Sequence, residues 1–191
     1  MEDRLAEWVS GVRENSRLFE ERFKGLDKDR LNWKPNPDKW SVGQNIDHLI
    51  QISRSFYPHI EKVNRGEYKK PFMGRFKFLV NFFERVILNA IEPDNPRKTK
   101  TFPVWEPDLS NVEENILDQF LEEQEALVSM FESSKNQLGK GIVIYSPASK
   151  KLVYSLEGVF DILVKHQLRH LRQAEKVLDA RRAFPDKMNG I

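Results

Sequence analysis

The chain has no cysteine among its 191 residues. Disulfide frameworks, thiolate zinc sites, iron–sulfur ligation and cysteine nucleophiles are therefore excluded, and any metal must be held by His, Asp, Glu or backbone oxygens. Glycine and proline are scarce, at 9 and 10 residues. The prolines cluster, with Pro35 and Pro37 in one segment and Pro93, Pro96, Pro103 and Pro107 in another. There is no internal repeat and no low-complexity tract. Charge of one sign is not in excess: 31 basic residues face 29 acidic ones, for a net +2. That balance carries no footprint for nucleic acid. Long apolar runs are missing too. The most hydrophobic stretch, Phe72 to Ile91, is interrupted by Arg75, Lys77, Asn81, Glu84 and Arg85, so it is not a membrane span. The N-terminus shows no basic region followed by an apolar one, so no signal peptide is expected and the default location is cytoplasmic. Neither a nucleic-acid nor a membrane partner is expected.

Hydrophobic residues make up 39% of the chain and charged residues 31%, the balance of an ordinary folded domain. The length suits one domain over residues 1–191, burying roughly 70% of the surface its unfolded chain exposes. Apolar residues recur every three or four positions, which predicts helices over about 3–24, 41–64, 72–91, 110–136 and 155–181. In the first, Leu5, Trp8, Val9, Val12, Leu18, Phe19 and Phe23 share a face. Residues 25–40 read as a connector. Ser41 with Gln44, and Ser110 with Glu113, have capping-box spacing. Pro58 should kink or end the second helix. The Pro-rich stretch 92–109 reads as a long loop. Ile142–Tyr145 and Leu152–Tyr154 read as short extended pieces or a hairpin. Amphipathic helices of this length with no firm strand argue for an all-α fold, an antiparallel helix bundle.

The chemistry rests on four histidines. His166 and His170 are four residues apart within the last predicted helix, the spacing that puts both on one face. They share a stripe with Val159, Leu163 and Val177, and so replace apolar residues on the inward side. Two neutral imidazoles inside a bundle are costly unless each finds partners, and a shared metal would supply them. A third ligand must come from a facing helix. His48, one turn after Gln44, is the better candidate. His59 lies about 16 Å further along the same helix at 1.5 Å per residue, directly after Pro58, and reads as a surface or loop-proximal residue. A satisfied pair of core histidines is the competing reading.

Two segments carry a resemblance. Trp40-Ser41-Val42-Gly43-Gln44-Asn45-Ile46-Asp47-His48-Leu49 is similar to the Trp-Ser start of a second helix ending in His-Leu. His166-Gln167-Leu168-Arg169-His170-Leu171-Arg172-Gln173 is similar to a C-terminal His-x-x-x-His segment with a downstream Gln. In this order and separation they resemble the DinB/YfiT-like superfamily of metal-dependent hydrolases and thiol transferases, over about residues 5–180. The resemblance implies an up-down-down-up four-helix bundle. It also implies a divalent transition metal held by His48, His166 and His170.

Three neutral imidazoles plus water would make an open site. Zinc held this way lowers the pKa of its water to about 7, and nickel or iron would also accept nitrogen ligands. The expected activity is that of a metal-dependent enzyme acting on a small molecule, as a hydrolase or as a transferase using a low-molecular-weight thiol. Gln44, Asn45 and Gln173 are candidates to support the ligands or touch substrate. Asp47, Asp161 and Glu157 read as solvent-facing, and no general base is assigned.

Trp33, Trp40 and Trp105 lie in or beside loops, where aromatics could wall a pocket but more often cover the ends of a core. Lys165, Arg169, Arg172 and Lys176 read as a solvated basic face, with Arg181-Arg182 at its end. The third helix, with Phe76, Phe78, Leu79, Phe82, Phe83, Val86 and Ile87, has more apolar surface than one face requires, which suggests a homodimer. The remaining alternatives to an enzyme are a non-catalytic metal- or ligand-binding module and a protein-interaction domain.

Overall fold

The computed structural model describes residues 1–93, 95, 100–107 and 111–183. Among the described residues the fold is mostly helical with one small sheet. Its helices are α1 (Glu2–Phe23), α2 (Lys28–Asn32), α3 (Val42–Asn64), α4 (Lys77–Ala90), α5 (Ile116–Ser133) and α6 (Leu156–Ala183). Strands β1 (Val143–Ser146) and β2 (Ser149–Ser155) pair antiparallel just before α6, with Val143 opposite Ser155 and Ile144 opposite Tyr154. The extended pieces expected around 142–154 therefore form a hairpin. Among the described residues no helix is long and apolar enough to cross a membrane.

Four long helices carry the interior: α1 packs on α5 and α6, and α3 packs on the same two. They share two apolar clusters. In the first, Trp8, Val12, Phe56, Ile60, Leu127, Phe131 and Phe160 meet. In the second, Phe19, Phe23, Ile46, Phe120, Leu171 and Leu178 meet. Along α1 and α6 the chain passes from the first cluster to the second; along α3 and α5 it passes from the second to the first. Between the two, α1 contributes Asn15, α5 contributes Glu123 and Gln124, and α6 contributes Gln167 and His170, all buried. The interior is thus two apolar blocks with a polar layer between them.

Several local expectations are corrected. The connector 25–40 contains α2, started by Asp27, whose side chain accepts from the Arg30 N–H at 2.8 Å. Pro58 does not end α3, which continues to Asn64. Ile60 and Val63 are buried beyond the proline, and their packing outweighs its missing N–H. The third helix starts at Lys77 rather than 72, because Met73–Arg75 form a 3-10 turn and Phe76 is extended.

The fourth helix starts at Ile116 rather than 110. Ser110, the predicted cap, lies outside the described residues. The segment before α5 is held by tertiary contacts instead. The Val112 N–H donates to Asn32 Oδ1 at 2.7 Å, and Asn32 Nδ2 donates to the Val112 carbonyl at 3.0 Å. Val112 then packs over Gly43, where an added Cβ would stand 2.1 Å from Val112 Cγ2.

Candidate metal centre

The centre is assembled from the first turns of α3, the middle of α6 and the loop before α5. Ser41 and Gln44 form the predicted capping box. The Gln44 N–H donates to Ser41 Oγ at 3.1 Å, and the Ser41 N–H donates to Gln44 Oε1 at 3.2 Å. This sets the rotation of α3, so that Asn45 and His48, one turn apart, both project inward and are buried.

Asn45 Nδ2 donates to the Ser41 carbonyl at 2.8 Å. A carbonyl only accepts, so the amide is oriented and its Oδ1 is the atom that meets His170 Nδ1, at 2.8 Å. His170 therefore carries its proton on Nδ1 and leaves Nε2 with a lone pair. His48 is held in the same way. Its Nδ1 lies 2.6 Å from the Trp105 carbonyl and must donate to it, which leaves Nε2 bare. His166 Nε2 faces His170 Nε2 at 3.0 Å. One ring nitrogen from each of the three imidazoles lies within 4.8 Å of the others, and among the described residues no carboxylate joins this cluster.

All three rings are held neutral. Burial pushes His48 down to about 4, although its hydrogen bond to Trp105 opposes the shift. Burial also holds His166 and His170 well below the ordinary imidazole range, helped by the neighbouring imidazoles and by Arg169. Neutral imidazole is the form that ligates a metal. Without an ion, only a proton between His166 and His170 can separate their facing lone pairs. The site therefore fits a cation: imidazole donors on converging helices, two of them with the second nitrogen satisfied by an oxygen acceptor, as histidine ligands require.

Trp40 and Trp105 are part of this site, against the expectation that such tryptophans merely cover core ends. The Trp40 ring stacks on His170 at 5.7 Å and 18°, and its centroid is 4.8 Å from that of His48. Trp105 sits in a 3-10 turn (Pro103–Trp105) of the Pro-rich loop. Its Nε1 donates to Ser55 Oγ at 3.0 Å and its ring stacks on Phe56, so the carbonyl that fixes His48 is anchored on α3. Trp33 packs on the second apolar cluster. The role of Trp105 was hidden because a backbone carbonyl leaves no trace in residue type. Trp40, directly before the cap of the helix that carries His48, was the signal available.

Of the other candidates, Gln44 is committed to the cap of α3. Gln173, one turn past His170, is half-buried and makes no hydrogen bond to the three histidines. His59 is half-buried in the last turns of α3 and outside the cluster. The basic face is not uniformly solvated. Lys165 pairs with Glu92, and Arg169 is buried, its Nη1 donating to the Glu92 carbonyl at 2.7 Å and the Asn95 carbonyl at 3.3 Å. Arg172 pairs with Glu175 at the surface.

The three carboxylates expected in solvent are all engaged. Asp161 pairs with Arg4 and accepts from Trp8 Nε1 at 2.7 Å. Glu157 accepts from the Gly139 N–H at 2.7 Å, and Asp47 accepts from Gln51 Nε2 at 2.6 Å. A family model described as the DinB superfamily matches residues 12–174. No curated protein and no solved structure matches the chain.

Proposed function

Because the chain belongs to the DinB superfamily, we propose that it is a metal-dependent enzyme in which His48, His166 and His170 hold one divalent transition ion. Zinc, nickel and iron suit such nitrogen donors. The observation that carries this reading is the pinning of the rings: Asn45 and the Trp105 carbonyl take the Nδ1 protons of His170 and His48, and so present two bare Nε2 atoms beside His166. When bound, the ion would lower the pKa of a water or a small thiol and so supply the nucleophile of a hydrolase or a transferase.

The chain's own groups divide the remaining work. Asn45 and Trp105 orient the ligands. Trp40 covers one face of His170 and keeps bulk water from it. Arg169 places a positive charge close enough to weaken protonation of His166 and His170, and the same charge favours an anionic substrate or leaving group. The four long helices form an up-down-down-up bundle in this reading, supported by the opposite order in which α1 and α6, against α3 and α5, cross the two apolar clusters.

A metal-free polar network is the second reading, favoured by the 3.0 Å approach of His166 and His170, which a single proton would satisfy. Elemental analysis of untagged protein, with His48→Ala and His166→Ala beside it, separates the two. About one equivalent of zinc, nickel or iron, lost in both variants, supports the enzyme and justifies screening hydrolytic and thiol-transfer reactions. No metal at purification and no uptake at pH 7.5 removes it.

A further inference from the structure

The third predicted helix carried an apolar excess, and the structure shows where it goes. One side of α4 is used: Val80 is buried against Val143 and Val153 of the hairpin, with Phe83 packed on the same cluster. The opposite side is bare. Phe78 is 68% exposed, Phe82 57% and Val86 51%, while Phe72 and Phe76, just before the helix, are 66% and 42% exposed. At about 100° per residue, Phe78, Phe82, Arg85, Val86 and Asn89 fall within an arc of about 100°. Three of these rings form a connected group, with Phe72 on Phe76 at 5.6 Å and Phe76 on Phe78 at 6.2 Å. Nothing in the folding of this chain requires these side chains to be apolar.

Their surroundings are cationic. Residues 69–91 contain Lys69, Lys70, Arg75, Lys77 and Arg85, all exposed, against the single acid Glu84. Glu84 is already turned to the Ser155 N–H at 2.6 Å. This segment carries +4 in a chain whose total is +2. Arg75 lies 5.8 Å from the centre of the Phe72 ring.

We propose that the exposed side of α4, with the Phe72–Phe76 turn before it, docks on the surface of an anionic phospholipid bilayer. The phenylalanines would enter the boundary between headgroups and acyl chains, and the lysines and arginines would stay at headgroup level on their flexible stems. Charge decides among occupants. A second copy packed face to face would bring +4 against +4, a like-charge contact that costs affinity. Lying on a bilayer needs no spanning helix, so the broken apolar run that excludes a transmembrane segment suits this role.

The test is co-sedimentation with phosphatidylcholine vesicles holding 0, 15 or 30 mol% phosphatidylglycerol. The parent chain is compared with Phe78→Ser/Phe82→Ser and with Lys77→Glu/Arg85→Glu. Partitioning should rise with the anionic fraction and fall in 0.5 M salt. Each double variant should bind at least about tenfold less, with the helical circular dichroism and metal content of the parent. Phe78 and Phe82 are exposed, so the serine variant removes no buried ring, and the charge reversal tests the proposal independently of its folding. Absence of vesicle binding would overturn the proposal and point to an acidic protein as the occupant. Binding indifferent to lipid charge or to both variants would overturn it as well. So would a solution mass of twice 22.5 kDa that falls to the monomer in Phe78→Ser/Phe82→Ser, since a second copy would then cover the face.

Discussion

Replacing Asn45 with leucine keeps the branched shape of the side chain but removes the oxygen that faces His170 Nδ1, together with the Nδ2 donor to the Ser41 carbonyl. The position is buried, so water does not simply replace the amide. In the metal-free protein the ring has an escape: it moves its proton to Nε2 and donates to His166, which already stands at 3.0 Å. The metal-bound protein has no such escape, because Nε2 is needed for the ion and the Nδ1–H is left buried without an acceptor. An unsatisfied buried donor costs about 1–3 kcal/mol, equivalent to about 5- to 150-fold in metal affinity at 1.4 kcal/mol per decade. That range overlaps the 10- to 100-fold typical of losing a group that orients a metal ligand. The assay is competition against a chromophoric zinc chelator at pH 7.5, with thermal unfolding of the metal-free form as control. Asn45→Leu should lose affinity in that range while the metal-free protein melts within a few degrees of the parent. Asn45→Asp keeps an acceptor at the same place and should retain more affinity than the leucine variant. Zinc affinity within twofold of the parent for Asn45→Leu, or equal losses for both variants, would refute the argument that this amide sets the tautomer.

Acid should destabilise the metal-free protein through the same rings. His48 is lowered from 6.5 to about 4 in the folded state by burial, so the unfolded chain takes up its proton first. The stability this neutral ring contributes is complete above pH 6.5 and is lost progressively as pH falls toward 4, about 2 kcal/mol of it by pH 5. His166 and His170, shifted the same way, deepen the loss, and a urea midpoint no lower at pH 5 than at pH 7.5 would contradict this. Gly43→Ala places a methyl 2.1 Å from Val112 Cγ2 and should cost about 1–3 kcal/mol as overpacking. Adding Val112→Ala should recover much of the loss, read as a rise in melting temperature from the single to the double variant. Phe160→Ala removes a ring stacked 4.0 Å from Phe131 and edge-on to Trp8, and should cost about 3–5 kcal/mol. Chemical denaturation checks it, and a loss under 1 kcal/mol would mean that the first apolar cluster collapses around the gap.

Much of the site was legible because helix periodicity converts spacing into direction. His166 and His170 had to share a face, and the inward stripe of Val159, Leu163 and Val177 told which face. The Ser41–Gln44 cap located the start of α3 and hence the side on which Asn45 and His48 project. Other features escaped for equally physical reasons. Arg169 looked solvated because its neighbours on the basic stripe are, yet the loop after α4 brings two carbonyls over it. The start of α5 was misplaced by six residues because Asn32 captures both polar backbone groups of Val112, a contact 80 positions away in sequence. Asp161 carried the mark of a surface acid until Trp8 and Arg4 of another helix met it.

By itself the sequence determined the helical periods, the cap that opens α3, the inward-facing histidine pair and the apolar excess of residues 72–91. Each of these is local, set by side-chain chemistry within a turn or two. Only the tertiary structure decided that His48 closes on that pair, that the Trp105 carbonyl and Asn45 choose which nitrogen His48 and His170 expose, and that Phe78 and Phe82 of α4 face outward. Those outcomes depend on groups far apart in the chain reaching hydrogen-bond or van der Waals distance, and spacing along a sequence carries no record of that meeting.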